Sequence, residues 1–307
     1  MKQVIWMNFE KQLQERVSCI EKILEDTLPK QEGFQKTVLD AMDYSVMVGG
    51  KRLRPMLMLE AYRMFAGAEA PTAPIEPLMA AMEMLHTYSL VHDDLPAMDN
   101  DEYRRGKKTT WVAYGEAMAI LTGDALLNSA YETALSAAEQ PGADPLRVLR
   151  ACRIFAHKAG IYGMIGGQVV DVEAEKEEHI LSEEELTFVY ECKTSALIEA
   201  SLMMGAVMAG AGEEEIKTME LVGHQVGIAF QIQDDILDLT STLEVLGKPI
   251  GSDEKNHKQT YVHIHGMEQA KADVERMSSE ALSLLQSKHV RNEFLEKLVS
   301  WLITREK

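Results

Sequence analysis

The chain has 307 residues, of which 46% are hydrophobic and 26% are charged. This composition is typical of a globular protein and excludes disorder as the state of the whole chain. Lys and Arg number 31 against 49 Asp and Glu, which gives a formal net charge of −18. Such acidity argues against a nucleic-acid binder or a protein drawn to anionic membranes. The length suggests one or two domains with a large core.

Membrane and secretion signals are not expected. No run approaches 18 continuous apolar residues, and the N-terminal segment lacks the apolar core of a signal peptide. The three cysteines, Cys19, Cys152 and Cys192, are far apart and form no CxxC pair. We therefore expect buried free thiols in a protein of the reducing cytoplasm, without disulfides or a zinc site.

Apolar spacing predicts helices along almost the whole chain. Proline-containing breaks at 71–77 and 141–145 separate segments in which apolar residues recur every three or four positions. This pattern predicts helices over 78–91 and 183–210, and Ser182 with Glu185 forms a candidate capping box for the second. Strand-type alternation is scarce. The sequence predicts an all-α protein of about ten helices in a single domain, residues 1–307.

The first acidic cluster follows the predicted helix 78–91. Asp93, Asp94 and Asp99 lie within the segment HDDLPAMDND. Asp93 and Asp99 are separated by about 240° on an ideal helix and could not share a helix face. Pro96 disfavours helix at the residue before it, so we expect a turn that brings Asp99 back beside Asp93.

The second acidic cluster lies inside a helical segment. In QIQDDILD, Asp234 and Asp238 are four residues apart and share a helix face, with Asp235 beside it. Carboxylates among apolar residues are costly unless cations compensate them. Mg²⁺ bound through carboxylates and substrate phosphates is the natural compensation, and the spacing of a calcium EF-hand is absent.

Basic residues cluster near the acidic motifs. The segment GGKRLRP (49–55) offers two glycines and three cations, and RRGKK (104–108) follows the first acidic cluster. Lys193, Lys248 and Lys258 are further candidates. Arg grips phosphate through two N–H groups, and glycine lets the backbone approach it. These residues predict a metal-dependent site for a phosphorylated or diphosphorylated ligand, although the spacing of a P-loop is absent.

The motifs together resemble those of the trans-prenyltransferases, the isoprenyl diphosphate synthases, and most closely the bacterial farnesyl diphosphate synthases. The matching segments run from about 49 to 261, most of the chain. They are GGKRLRP (49–55), HTYSLVHDDLPAMDND (86–101), RRGKKTT (104–110), GDALL (123–127), GMIGGQVVD (163–171), KTSALI (193–198), GIAFQIQDDILD (227–238), GKPIGSD (247–253) and KQTY (258–261).

The resemblance implies an all-α isoprenoid-synthase bundle around a deep central cavity, usually a homodimer, with the two Asp motifs facing each other. It implies head-to-tail condensation of isopentenyl diphosphate with dimethylallyl or geranyl diphosphate to give farnesyl diphosphate, C15. It further implies about three Mg²⁺ ions per active site, with Mn²⁺ as an alternative. Nucleic acid and membrane insertion are not expected.

Roles for individual residues also follow from the resemblance. The metal ligands are expected to be Asp93, Asp94, Asp99, Asp234, Asp235 and Asp238. The allylic diphosphate is expected at Arg104, Lys193, Lys248 and Lys258, with Thr194 and Gln231 beside the allylic chain. Isopentenyl diphosphate is expected at Gly50, Lys51, Arg54, His86 and Arg105. The catalytic set is Asp93, Asp94, Asp99, Arg104, Lys193 and Asp234. His92 remains without a role.

The resemblance also implies that Tyr88, five residues before Asp93, and the neighbouring Ser89 limit product length, with the Tyr88 ring as the floor of the pocket. Plain helix packing is the alternative for Tyr88. A geranylgeranyl or geranyl diphosphate synthase is the first rival function, and a non-catalytic synthase subunit is the second. A terpene cyclase fits less well because both Asp motifs are intact. Three departures from the family pattern are modest: Asn100, Ser195 and Gln259.

Overall fold

The protein is almost entirely helical. The computed structural model describes residues 2–176, 179–240, 259–287 and 289–304, with side chains between 8 and 302. The all-α prediction is confirmed. The chain divides into two compact units, residues 1–59 with 70–152 and residues 60–69 with 153–307. Two of the three boundaries, at 59/60 and at 152/153, fall within helices.

The first unit is built around one helix that is buried on nearly all sides. Its helices and those that lead out of it are α1 (Lys2–Thr27), α2 (Lys36–Met47), α3 (Leu53–Ala66), α4 (Glu76–Asp93), α5 (Thr110–Tyr114), α6 (Glu116–Ser136) and α7 (Pro145–Ala159). The central helix is α4, which packs mainly on α6 and also on α1 and α2. It confirms the helix predicted over 78–91. Burial all round explains why its sequence is apolar beyond a single face.

A short hairpin follows α4, and the sequence pattern did not predict it. Strands β1 (Tyr103–Arg104) and β2 (Lys107–Lys108) pair antiparallel. The two residues between them, Arg105 and Gly106, have φ angles of 53° and 74°. Two consecutive positive φ angles are those of a type I′ turn, which matches the twist of a tight hairpin. Strands of two residues are too short to show alternation, so only the turn itself carried a signal.

The second unit is assembled on two long, adjacent helices. Its elements are α8 (Met164–Lys176), α9 (Glu183–Val189), a π-helical segment (Tyr190–Ser195), α10 (Ala196–Ala209), α11 (Glu213–Thr240), α12 (Tyr261–His265), α13 (Met267–Gln286) and α14 (Glu293–Thr304). The main packing partners of α11 are α10 and α13. The predicted capping box is confirmed: Ser182 Oγ accepts from the Glu185 amide, and the Glu185 carboxylate accepts from the Ser182 amide.

The predicted count of about ten helices is too low, because the described part of the chain contains fourteen α-helices. Two glycines account for part of the difference. Gly115 and Gly266 have φ angles of 86° and 80° and separate the five-residue helices α5 and α12 from the long helices α6 and α13. Left-handed backbone of this kind ends a helix, and glycine adopts it without steric cost.

The run from Glu183 to Ala209 is long and apolar enough to cross a membrane by length and composition. However, 78% of its most apolar window is buried inside the protein, as in the core helix of a globular domain. The run is also not a uniform α-helix, because the π-helical segment interrupts it. The helix predicted over 183–210 is therefore present but locally widened.

The three cysteines are free, as predicted, but the prediction that they are buried is wrong. Cys19 is exposed, and Cys152 and Cys192 are half-buried. On α1 the neighbouring Ile20 and Leu24 are fully buried. They occupy the side of the helix that faces the core and leave Cys19 on the side that faces solvent.

Candidate active site

The first acidic cluster forms the predicted turn at the end of α4. The backbone amide of Asp99 donates to the carbonyl oxygen of Asp93 at 2.9 Å, so the chain folds back on itself around Pro96. Asn100 closes the turn with a φ of 56°, and its amide donates to Leu95 O at 3.1 Å. Asn tolerates this left-handed conformation better than most residues. The departure from Asp at position 100 therefore suits the local backbone.

Asp94 points to the hairpin. Its carboxylate accepts a hydrogen bond from Arg104 Nε at 2.8 Å, and Arg104 Nη2 lies 2.6 Å from the same oxygen. Asp94 is only 3% exposed. Burial raises the pKa of this carboxyl to about 6, although the Arg104 guanidinium favours the charged form. The arginine thus compensates a carboxylate that the surroundings would otherwise protonate.

The predicted isopentenyl-diphosphate residues come together in the first unit. The Arg105 guanidinium donates to Gly49 O, and a Cβ added at Gly50 would lie 2.6 Å from Arg105 Nη1. Arg54 Nη1 lies 3.3 Å from His86 Nε2. The missing side chain at Gly50 therefore lets a guanidinium lie directly on the glycine loop. Lys51 is exposed beside that loop.

Burial and the neighbouring arginines hold the pKa of His86 well below its ordinary value. Burial also lowers the pKa of Arg54 to about 10. The imidazole is therefore neutral near pH 7, and its nitrogen can accept from Arg54. Burial is the main cause of both lowered pKa values, and the nearby arginines add to the effect on His86. A group of neighbouring cations favours an anionic ligand.

One cation of the GGKRLRP segment is not available to a ligand. Arg52 is buried, donates to Glu83 Oε1 at 2.8 Å and to Val46 O at 2.8 Å, and adopts a φ of 49°. A buried ion pair of this kind fixes the loop against α4. The resemblance did not place Arg52 among the diphosphate ligands, and the structure supplies the physical reason, a partner 31 positions away in the sequence.

A cavity in the first unit lies between the hairpin, α2 and α4. Asp94, Arg104 and Arg105 line it together with apolar side chains. The other lining residues are Tyr44, Ser45, Val48, Thr87, Leu90, Val91, Lys108, Thr109 and Thr110. The cavity thus combines one carboxylate and several cations with an apolar wall.

Tyr88 is buried on α4 one turn before the acidic cluster. Its ring meets the ring of His92 edge-on, with centroids 5.7 Å apart. Burial raises the pKa of the Tyr88 phenol to about 12, so the group is neutral. Ser89 Oγ donates to His86 O at 2.8 Å and is turned toward its own helix.

His92 lies against α6 rather than free in solvent. Its Nε2 is 3.1 Å from Ile120 O, and a Cβ added at Gly123 would lie 2.0 Å from that nitrogen. Gly123, in the GDALL segment, therefore provides the space that the imidazole fills. The ring supports Tyr88 on one side and contacts α6 on the other, which makes packing its observed role.

The second acidic cluster is on α11, as predicted, and its three carboxylates differ. Asp235 is 3% exposed and accepts hydrogen bonds from the Tyr190 hydroxyl and, at 2.9 Å, from the Tyr261 amide. Asp238 is 8% exposed, and within the described residues its Oδ2 has no hydrogen-bond partner. Asp234 is half-buried on the same face as Asp238.

The π-helical segment presents Lys193 and Thr194. Lys193 Nζ lies 2.5 Å from Asp171 Oδ2, and Thr194 Oγ1 donates to Gln231 Oε1 at 3.0 Å. Thr194 and Gln231, which the resemblance placed beside the allylic chain, are thus adjacent. π-Turns inside α-helices are frequent at functional sites. Asp171 is a partner that sequence reasoning missed, although it stands within the matching segment 163–171.

Two glycines allow neighbouring helices to approach the π-helical segment. A Cβ at Gly167 on α8 would lie 2.4 Å from the Lys193 amide nitrogen, and one at Gly227 on α11 would lie 2.3 Å from Ser195 Oγ. Ser195 is fully buried, and its hydroxyl donates to Tyr190 O at 3.1 Å. The departure to Ser at position 195 thus supplies a donor for a carbonyl of the π-turn.

Two predicted diphosphate ligands, Lys248 and Lys258, lie outside the described residues, as does the segment GKPIGSD (247–253). The described chain resumes at Gln259, whose buried Oε1 has no hydrogen-bond partner among the described residues. Thr260 then precedes α12 as its N-cap residue.

The acidic residues suit Mg²⁺ that is completed by a ligand. Within the described ranges, no three Asp, Glu, His or Cys side chains converge closely enough to hold an ion alone. Mg²⁺ usually takes one or two carboxylates and completes its shell with water and substrate phosphates. Such carboxylates are offered by the Asp93–Asp99 turn and by Asp238, whose Oδ2 has no partner in the part of the chain that the structure describes. The residues therefore fit the predicted ion.

The family model for polyprenyl synthetases matches residues 35–299. The chain belongs to the polyprenyl synthetase family. Farnesyl diphosphate synthase of Bacillus subtilis is 38% identical over 281 residues, covering 92% of each chain. Geranylgeranyl diphosphate synthase of Cyanophora paradoxa is 41% identical over 270 residues, covering 88% of this chain and 87% of the relative.

A solved structure of this family is similar over nearly the whole chain. Geranyltransferase from Helicobacter pylori, complexed with magnesium and isoprenyl diphosphate, matches with a TM-score of 0.80 at 31% identity, covering 95% of each chain. The family resemblance inferred from the motifs is therefore confirmed. The relatives include both C15 and C20 synthases, so membership of the family does not define the product length.

Proposed function

We propose that the protein is a Mg²⁺-dependent prenyltransferase that makes farnesyl diphosphate from isopentenyl diphosphate and dimethylallyl or geranyl diphosphate. One observation carries this proposal above the others. Asp99 is folded back onto Asp93 beside a hairpin that presents Arg104 and Arg105, and Arg105 lies on the Gly49–Gly50 loop. Carboxylates for a metal and cations for diphosphates are thus grouped within one unit.

The chain's own residues bind and orient the two diphosphates. Arg54, neutral His86 and Arg105 around Gly50 are suited to isopentenyl diphosphate, with Lys51 beside them. Arg104 and Lys193 are assigned to the allylic diphosphate, together with Lys248 and Lys258. Thr194 and Gln231 line the allylic chain.

Bond making and breaking follow from this placement. The allylic C–O bond breaks, and the diphosphate leaves with the bonding electron pair. The double bond of isopentenyl diphosphate attacks the resulting cation to form a C–C bond, and the departing diphosphate accepts the proton that is lost. Asp93, Asp94, Asp99, Asp234 and Asp238 are the residues that would hold Mg²⁺, which when bound would stabilise the charge of the leaving group. No side-chain nucleophile is required.

The C15 product is proposed from Tyr88. Its buried ring sits one turn before Asp93 and is held edge-on by His92, which gives a rigid floor to a growing chain. A geranylgeranyl diphosphate synthase is the second candidate, because the 41% identical relative from Cyanophora paradoxa makes the C20 product. A non-catalytic subunit is less favoured, since both Asp clusters are present.

Both units are proposed to form one polyprenyl synthetase domain, because the family model spans residues in each of them. We further propose that the protein is cytoplasmic, which its three free cysteines support. We also propose that it is a homodimer, which the family resemblance supports. Light scattering on the purified protein measures the oligomeric state directly.

The function is tested by product mass. The purified protein is incubated with isopentenyl diphosphate, dimethylallyl diphosphate and Mg²⁺, and the dephosphorylated alcohols are identified. Farnesol, lost on addition of EDTA, is the expected product. Geranylgeraniol or geraniol would keep the reaction and contradict the proposed chain length. Unchanged substrates would contradict the enzymatic function and favour the non-catalytic subunit.

A further inference from the structure

A buried hydrogen-bonded cluster joins three elements of the second unit. Tyr190, the first residue of the π-helical segment, is 6% exposed, and its hydroxyl donates to Asp235 Oδ2. The backbone amide of Tyr261 donates to the same Asp235 oxygen at 2.9 Å and contacts the Tyr190 hydroxyl oxygen at 3.2 Å. Two donors therefore converge on one carboxylate oxygen. We call Tyr190, Asp235 and Tyr261 the tyrosine clamp.

Two members of the clamp belong to elements that carry predicted ligand residues. Tyr190 is three residues before Lys193 in the π-helical segment. Asp235 is next to Asp234 on α11 and one turn before Asp238. Tyr261 begins α12, three residues after Lys258 in the sequence. One carboxylate thus connects the element that bears Lys193 with the one that bears Asp234.

The partners of Asp235 argue for anchoring rather than metal binding. Its Oδ2 accepts hydrogen bonds from one O–H donor and one N–H donor, and the residue is 3% exposed. Hydrogen bonds to a buried carboxylate stabilise its charged form and fix its orientation. Asp238, by contrast, keeps a buried oxygen without a partner among the described residues. The two neighbours on α11 are therefore suited to different tasks.

We propose that Tyr190 is a positioning residue for the metal and allylic-diphosphate site, acting through Asp235. Its hydroxyl fixes the rotation of the α11 face that carries Asp234 and Asp238 relative to Lys193. The proposal rests on the proposed function and gives Asp235 the role of an anchor. Partners that orient metal ligands typically change metal affinity or activity when they are removed, although they do not touch the metal.

The test is Tyr190→Phe, which keeps the buried ring and removes only the hydroxyl. The Mg²⁺ concentration for half-maximal condensation of geranyl with isopentenyl diphosphate is expected to rise by about 10- to 100-fold. The KM for isopentenyl diphosphate, whose proposed residues lie in the first unit, is expected to stay unchanged. The Mg²⁺-dependent rise in Tm with inorganic pyrophosphate is expected to shrink, and this readout needs no turnover.

Tyr261→Phe is the matched control. It removes a tyrosine hydroxyl that donates to Asp273 Oδ2 at 2.9 Å and leaves the backbone amide of Tyr261 on Asp235. Wild-type Mg²⁺ dependence is expected for it. Equal shifts in the two variants would overturn the assignment, because general loosening of the unit would then explain both.

A double variant tests whether Tyr190 acts through Asp235. If Tyr190 acts through Asp235, the Mg²⁺ requirement of Tyr190→Phe with Asp235→Asn is no higher than that of the worse single variant. Additive effects, or a Tyr190→Phe protein with wild-type Mg²⁺ dependence, would overturn the clamp. A wild-type protein that makes no prenyl product would contradict the proposed function alone, since the pyrophosphate-dependent Tm shift still tests the clamp.

Discussion

Arg104 holds Asp94 through two close contacts, from Nε at 2.8 Å and from Nη2 at 2.6 Å. The cation expected for a diphosphate and the carboxylate expected for a metal are therefore partners of each other in this structure. The pairing keeps a carboxyl that is 3% exposed compatible with ionisation, although burial raises its pKa to about 6. It also places the hairpin directly beside the turn that follows α4.

Replacing Arg104 by Met is expected to lower stability, because Asp94 then lacks its compensating cation. Loss of a hydrogen-bonded charged partner costs about 1–3 kcal/mol. The Asp94 pKa is raised in the folded state, so its proton favours folding at low pH and this contribution is lost as pH rises through about 6. The cost of Arg104→Met should therefore be larger at pH 8 than at pH 5, as measured by urea unfolding.

The control is the double variant Arg104→Met with Asp94→Asn, which removes both charges. It should recover much of the lost free energy of unfolding. The contribution of this pair to stability should then be the same at pH 5 and at pH 8. A destabilisation by Arg104→Met that is independent of pH and not relieved by Asp94→Asn would show that Arg104 stabilises the fold through packing alone.

Gly50→Ala is expected to weaken binding of isopentenyl diphosphate. The new Cβ would lie 2.6 Å from Arg105 Nη1 and force the guanidinium off the glycine loop. We expect the KM for isopentenyl diphosphate to rise about tenfold, equivalent to about 1.4 kcal/mol, with the KM for geranyl diphosphate unchanged. Steady-state kinetics with each substrate varied in turn measures both constants.

Gly49→Ala is the matched control for Gly50→Ala. Gly49 has a φ of 102°, so alanine there is strained too, but the added Cβ meets nothing within 4 Å. Backbone strain of this kind costs about 1–3 kcal/mol. Both variants should lose stability, whereas only Gly50→Ala should raise the KM. Equal KM values in the two variants would attribute the effect to the loop backbone.

Tyr88→Ala is expected to lengthen the product from C15 toward C20 and beyond. Removal of the buried ring opens the space that His92 and Tyr88 now fill together. Mass analysis of the dephosphorylated alcohols gives the chain length. Tyr162→Ala makes the same truncation at a residue that is 78% exposed and should leave the product unchanged. An unchanged product with Tyr88→Ala would assign Tyr88 to helix packing.

Asp238→Asn is expected to separate metal binding from stability. Without Mg²⁺ the wild-type protein keeps a buried carboxylate oxygen that has no partner among the described residues, so the variant should unfold at an equal or higher temperature. A ligand present at 100 times its Kd adds about 2.7 kcal/mol of stability. Mg²⁺ with pyrophosphate should therefore raise the wild-type Tm by several degrees, and Asp238→Asn should lose most of that rise.

A suitable comparison is Asp144→Asn, a change of the same kind at a carboxylate in the loop before α7 and outside both acidic clusters. Its Tm shift with Mg²⁺ and pyrophosphate should equal that of the wild-type protein. If Asp238→Asn also keeps the full shift, Asp238 is not a metal ligand, and the metal belongs to the other carboxylates.

Helix content and the turn at Pro96 could be predicted from the sequence because both are local. Apolar spacing predicted α4 and the helical run that begins at Glu183. Pro96 predicted the turn that places Asp99 next to Asp93. The β-hairpin and the π-helical segment could not be predicted in this way. A two-residue strand has no alternation, and a π-turn depends on neighbours such as Gly167 and Gly227 that come from other helices.

The sequence by itself determined the family, the helical class and the two acidic and two basic motifs, because each motif is a short run of residues whose chemistry does not depend on distant neighbours. Only the tertiary structure decided which residues of each motif are paired with a side chain elsewhere in the protein. Arg52 pairs with Glu83, 31 positions away, and Asp235 with Tyr190, 45 positions away. Such pairs form because burial penalises an unpaired charge, and burial arises only when distant helices pack together.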